Sequence, residues 1–241
     1  MRAEARHQLK QDRFRGATLQ VAGDAAHWTV EHKSKLMLGG VIALVVVAAV
    51  LGGWYYLNRQ DQRASLDLSK AVRAMDAPIR PADAPEQPGV QSFTSVKDRA
   101  TEAHKQFQAI VDKYAHTRSA DVARYFLGLT AADMGDYASA QKELSAVASY
   151  HNADLASLAK QALGSVYVRQ GKTKEAIEIY KALAEKPTAM VSKPAAQLQL
   201  ADALLADRQP LEAKGVYERV QKENPATPAA QIAGQALQNL K

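Results

Sequence analysis

The chain has no cysteine. That excludes disulfide frameworks, cysteine-ligated zinc or iron–sulfur centres, and thiol nucleophiles. It also excludes a bacterial lipoprotein, because no lipid-accepting cysteine follows the apolar segment described below. Aromatic residues make up only 6% of the 241 positions. Charge of one sign is scarce locally: 31 Lys/Arg against 25 Asp/Glu give +6, but residues 1–35 hold 7 against 4 and residues 58–241 hold 24 against 21. No basic run and no interleaving of basic and aromatic residues results, so nucleic acid is not an expected partner. There is no P-loop, no dinucleotide-binding glycine motif, no G-x-S-x-G and no H-E-x-x-H. The six histidines (His7, His27, His32, His104, His116 and His151) lack metal-ligand spacing and read as surface residues. The expectation is therefore a non-enzyme with no catalytic residues, no metal and no cofactor.

Alanine is abundant, with 46 residues. It is the strongest helix former, and the expected class is all-α. Leu36–Leu57 carries no charge over 22 residues. As a helix it would be about 33 Å long, enough for the ~30 Å hydrocarbon core of a bilayer. Lys33 and Lys35 precede it, Arg59 and Arg63 follow it, and Trp54, Tyr55 and Tyr56 sit at one end, where amphipathic rings favour the membrane interface. The rival reading is a cleaved signal peptide. A 35-residue leader and an aromatic cluster at the would-be cleavage site argue against it. Local flanking charge leaves orientation undecided. The short, positive N-terminal tail favours a cytoplasmic N-terminus with the larger C-terminal part outside. Gly39/Ala43, Ala48/Gly52 and Ala49/Gly53 place small residues one turn apart, which permits helix pairing without requiring it.

After the span, residues 77–94 hold Pro78, Pro81, Pro85 and Pro88 and read as a loop, since proline resists helix interiors. Beyond it a triple recurs: alanine, a large apolar residue four later, an aliphatic three after that. The instances are Ala103-Phe107-Ile110, Ala140-Leu144-Val147, Ala176-Tyr180-Leu183 and Ala213-Tyr217-Val220, with starts 37, 36 and 37 residues apart. Offsets of four and seven lie on one helix face. Leu127-Gly128, Leu163-Gly164 and Leu200-Ala201 precede the last three triples, and Gly135-Asp136, Gly171-Lys172 and Asp207-Arg208 lie between. Each unit is thus a helix, a short turn and a second helix. Small residues sit where paired helices cross.

This pattern resembles the tetratricopeptide repeat over about residues 95–225, without its tryptophan and with a slightly longer period. The resemblance implies an α-solenoid of helix hairpins. The expected organisation is a cytoplasmic tail (1–35), a transmembrane helix (36–57), a first solenoid helix (58–76), the Pro-rich loop (77–94), the repeats (95–225) and a capping helix (226–241). Such arrays expose a concave surface lined by the first helix of each pair. The matching positions are Tyr125, Leu129, Asp133, Gln161, Ser165, Val168, Leu198, Asp202 and Leu205. They form an expected protein-binding groove, although Tyr125, Leu129 and Leu198 can equally serve packing.

The segments next to the span, Glu31-His32-Lys33-Ser34-Lys35, Gly53-Trp54-Tyr55-Tyr56-Leu57-Asn58, Arg63-Ala64-Ser65 and Ala71-Val72, resemble the ancillary Sec translocon subunit of bacterial inner membranes. That resemblance implies a single-pass inner-membrane protein with a periplasmic domain, assisting secretion and handing clients to envelope chaperones. Its implied partners are translocon subunits, secretory clients or chaperones. The stretch Phe107–Gly128 is also similar to periplasmic repeat proteins of outer-membrane assembly and cell division. That leaves an assembly or coordination factor as the alternative.

Overall fold

The computed structural model describes residues 33–85 and 88–240. The tail expected over 1–35 therefore lies, for residues 1–32, outside the described part. The described residues form α-helices without strands: α1 (Lys33–Met75), α2 (Val96–Lys113), α3 (Arg118–Asp133), α4 (Tyr137–Ala148), α5 (Ala153–Arg169), α6 (Thr173–Glu185), α7 (Lys193–Ala206), α8 (Pro210–Glu223) and α9 (Pro228–Asn239). The chain divides into two units between Tyr56 and Leu57.

In the N-terminal unit, α1 is the one helix among the described residues that is long and apolar enough to cross a membrane. Its large apolar side chains from Met37 to Leu57 are exposed; Leu44 is 71% exposed and Trp54 66%. The sequence reading separates an apolar helix ending at 57 from a solenoid helix beginning at 58. The backbone makes no such break, because nothing between Leu57 and Ala64 interrupts helical propensity: neither proline nor glycine occurs there.

In the second unit, successive helices pack in chain order from α2 through α9. The last turns of α1 join this stack, with Ala64 and Ala71 buried against Ala103, Phe107 and Leu127 of α2 and α3. Between α1 and α2 the Pro-rich loop is pinned at its base. The Arg80 amide donates to the Phe93 carbonyl at 2.8 Å, the Phe93 amide to the Pro78 carbonyl at 3.0 Å, and the Arg99 guanidinium to the Ala77 carbonyl at 3.1 Å.

The repeat is visible in the turns. At the end of α3, α5 and α7, the amides of Asp136, Lys172 and Gln209 donate back to Ala131, Tyr167 and Leu204 at 2.9, 2.9 and 2.8 Å. Each is the six-to-one bond of a Schellman stop, which needs a left-handed residue just before the donor. Gly135 (φ 84°) and Gly171 (φ 72°) supply it, and in the third turn Arg208 takes the same backbone (φ 60°). The opposite turns end in side-chain caps, where Thr117, Asn152, Ser192 and Thr227 accept from amides of the first turn of α3, α5, α7 and α9. Each satisfies an otherwise orphaned donor, worth about 1 kcal/mol.

The crossing points are tight. A Cβ on Gly128 would sit 2.6 Å from Leu144, and one on Gly164 would sit 2.6 Å from the Tyr180 ring. Ala140, Ala176, Ala201 and Ala213 are fully buried. Phe107 and Phe126 stack at 5.1 Å between α2 and α3. The result is a solenoid of helix hairpins.

Candidate protein-binding surface

The solenoid has two unlike faces. Besides its chain neighbours, α3 touches α5, α5 touches α7 and α7 touches α9; α4, α6 and α8 make no such contacts with one another. The helices that approach one another lie on the inside of a bend, so the first helix of each hairpin lines the concave side. Asp61 of α1 joins the row by accepting from the Ser119 amide of α3 at 2.9 Å.

The nine sequence-derived groove residues all lie on α3, α5 and α7, but their environments differ. Leu129 and Gln161 are half-buried. Tyr125 is half-buried against the α3–α5 core and meets the Phe126 ring edge-on at 5.3 Å. Burial raises its phenol above the ordinary tyrosine range. Val168, Leu198 and Leu205 are half-buried against the core around Tyr180 and Tyr217. Asp133 is exposed and lies 3.9 Å from the Arg169 guanidinium of the next repeat. Arg169 also reaches the Ala132 carbonyl.

Ser165 and Asp202 point toward their own hairpins. The Ser165 hydroxyl lies 3.2 Å from the Tyr180 hydroxyl, and the Tyr217 hydroxyl donates to the Asp202 carboxylate. Burial, then the Asp202 bond, holds the Tyr217 phenol far above its ordinary range. The concave row is therefore an apolar floor of partly packed aliphatic and aromatic residues with Asp133 and Arg169 standing at its surface, while Ser165 and Asp202, though exposed, engage tyrosine hydroxyls of their own hairpins.

Arg169 was not among the sequence-derived positions. It follows Val168 by one residue, and its signal is its alignment with Asp133 one turn-end earlier. Also unforeseen are two clefts at the turns between hairpins, of about 610 and 470 Å³. Tyr150 and His151 of the α4–α5 turn line both, and none of the nine groove residues lines either. In the first, the Arg124 guanidinium donates to the Tyr150 hydroxyl at 3.2 Å. Among the described residues, no group of three or more metal-ligating side chains comes together.

These features define an α-solenoid of short helix hairpins with a curved inner surface. The chain belongs to the tetratricopeptide repeat-like domain family, whose profile matches residues 26–241. Among solved structures it is similar to a crystal structure of nearly identical TPR-like repeats from a candidate kinesin light chain of Podospora anserina. The sequences are 19% identical, the match covers 74% of this chain and 84% of the other, and the TM-score is 0.54. At that identity the likeness is one of fold. No curated protein matches the chain.

Proposed function

We propose that the protein is a membrane-anchored scaffold that holds other proteins in the concave groove of its repeat domain. In this reading α1 spans the inner membrane of a bacterium, the N-terminus is cytoplasmic, and the solenoid lies in the periplasm. There it assists translocating proteins and passes them to envelope chaperones. The observation that carries the reading is the row of first helices: it presents half-buried Tyr125, Leu129, Leu198 and Leu205 beside exposed Asp133 and Arg169. An apolar floor with sparse charge suits a helix or extended segment of a client better than an acidic tail. The residues flanking the span, which resemble the translocon's ancillary subunit, support the compartment and the pathway.

Two experiments test this. Protease added to sealed, right-side-out vesicles is expected to reach the solenoid. Affinity purification of the full chain from native membranes in mild detergent is expected to recover translocon subunits and secretory clients. Recovery of assembly or division complexes without translocon subunits would favour the alternative role that the Phe107–Gly128 resemblance supports.

A further inference from the structure

The tetratricopeptide pattern W-x₂-L-G sets a tryptophan four residues before the small residue of the helix crossing. Counting back from Gly128, Gly164 and Ala201, that place holds Arg124, Lys160 and Gln197. In the third repeat Gln197 is packed in, 3% exposed. In the first two the side chain leaves the place open. The Arg124 guanidinium runs to the Tyr150 hydroxyl at 3.2 Å and to Glu143 at 3.6 Å, and Lys160 is exposed. A cleft lies beside each: Arg124 lines the one of about 610 Å³ and Lys160 the one of about 470 Å³.

The two clefts are one site repeated. Ala120, Asp121 and Ser149 of the first are matched, 36 residues on, by Ala156, Ser157 and Glu185 of the second, and Tyr150 and His151 line both. Each offers apolar surface where an indole would stand: Val111, Ala115 and Ala120 in the first, Ala148, Ala156 and Leu183 in the second. Formal charge nearly cancels. Arg124 and Asp121 share the first cleft with His116 and His151, and burial pushes the Asp121 carboxyl up toward its neutral form. Lys160 and Lys186 share the second with Glu185 and His151. So small a net charge selects neither an acidic nor a basic segment. A neutral aromatic ring suits the apolar surface, and a cation beside it is attracted to the ring face. Both volumes fall within the roughly 300–1,000 Å³ of sites that enclose small ligands, room for a ring and the backbone that carries it.

The spacing suits one chain crossing both clefts. The inner helices α3 and α5 touch, and packed helix axes lie about 8–10 Å apart. A polyproline II segment rises about 3.1 Å per residue with three residues per turn, so rings at i and i+3 point to one side about 9 Å apart.

We propose that these two clefts dock an extended protein segment carrying two aromatic residues three apart, one ring entering each cleft where the pattern's tryptophan is missing. This second docking surface is separate from the concave row, since none of the nine groove residues lines either cleft, and it does not depend on whether α1 spans a membrane.

The probe is the peptide acetyl-Ser-Xaa-Ser-Pro-Trp-Ser-amide, where Xaa is a diazirine-bearing phenylalanine. It is photocrosslinked to the full chain in detergent micelles, and adducts are mapped by mass spectrometry of proteolytic fragments. Adducts are expected within residues 111–124, 148–160 and 182–188. Exchanging the peptide's Trp for Ala is expected to cut the yield severalfold. Lys160→Trp restores the pattern residue; it is expected to raise the melting temperature by about 2–4 °C and to cut labelling severalfold. Arg219→Trp, on the exposed side of α8, adds a tryptophan elsewhere and is expected to leave labelling unchanged.

The adduct map of the unaltered chain decides the site without any variant. Adducts confined to the inner helices around Leu129 and Leu198 would give the peptide to the concave groove and overturn the cleft site. Adducts confined to the apolar stretch 36–57 would report partition into the micelle and overturn it as well. Labelling of the clefts that ignores both the second aromatic residue and Lys160→Trp would remove the paired-ring recognition.

Discussion

The Tyr217 hydroxyl of α8 donates to the Asp202 carboxylate of α7, and one hairpin earlier the Tyr180 hydroxyl lies 3.2 Å from the Ser165 hydroxyl. The same interhelical reach recurs one repeat apart, joining the outer helix of a hairpin to the inner one. Tyr217 is 2% exposed and Tyr180 is 2% exposed, so each phenol is desolvated; Asp202 holds the Tyr217 oxygen, and Ser165 with the Gln161 carbonyl holds that of Tyr180.

This arrangement makes the fold sensitive to alkali. The folded chain holds the Tyr217 phenol protonated beyond its ordinary value of 10, by burial first and the Asp202 bond second. Above pH 10 the unfolded chain releases that proton while the folded chain keeps it, so the unfolded state gains and stability declines as pH rises. Below pH 10 the contribution is complete. Tyr180 adds a second group of the same sign. Tyr217→Phe is expected to cost about 1 kcal/mol at neutral pH and to flatten the loss of stability above pH 10. Urea titrations at several pH values check both.

The crossings define a contrast between glycines. Gly164→Ala places a methyl 2.6 Å from the buried Tyr180 ring and is expected to destabilise by about 1–3 kcal/mol. Gly215→Ala, on the exposed side of α8 with nothing within 4 Å of the new atom, is expected to be neutral or to stabilise by up to about 1 kcal/mol. Thermal melts followed at 222 nm (a helix signal) distinguish the two.

Arg208 occupies a left-handed backbone (φ 60°) where the equivalent turns use Gly135 and Gly171. Arg208→Gly removes the Cβ clash of that conformation and is expected to stabilise by about 0.5–1 kcal/mol. Gly171→Arg, the reverse change at the preceding turn, is expected to destabilise by a similar amount. Calorimetry of the two variants gives the signs.

Asp133 and Arg169 link adjacent repeats at 3.9 Å while remaining 45% and 53% exposed at their side chains. Solvent screens such a pair, which is worth about 0–1 kcal/mol. Asp133→Lys is expected to leave the melting temperature almost unchanged and to weaken client binding by placing a second cation beside Arg169. Binding measured with a client recovered by affinity purification tests this, and a variant with unaltered affinity would remove the pair from the groove.

Much of the solenoid was legible because its repeat is written in backbone-determining residues. The four alanine-led triples mark helix faces, and Gly128 and Gly164 mark crossings. The third turn was less legible, because Arg208 adopts a conformation that its side chain does not advertise. The directions of Ser165 and Asp202 were also hidden. Periodicity assigns a residue to the inner helix, but whether it faces the groove or the partner helix depends on what stands opposite, and here a tyrosine hydroxyl stands opposite both. The clefts around Tyr150 and His151 lie in turns, where helical periodicity carries no information. The contact between α1 and the α2–α3 turn, in which Asp61 accepts from the Ser119 amide, joins residues 58 apart in sequence and was hidden for the same reason.

The most direct test of the scaffold reading is site-specific photocrosslinking in native membranes. A photoreactive residue at Gln161 or Leu198 on the inner helices is compared with one at Lys142 or Arg219 on the outer helices, all exposed or half-buried. Protein adducts from the inner positions, competed by an excess of purified repeat domain and largely absent from the outer positions, are the predicted result. Equal labelling from both faces, or no protein adduct from the inner helices, would contradict a client-binding groove.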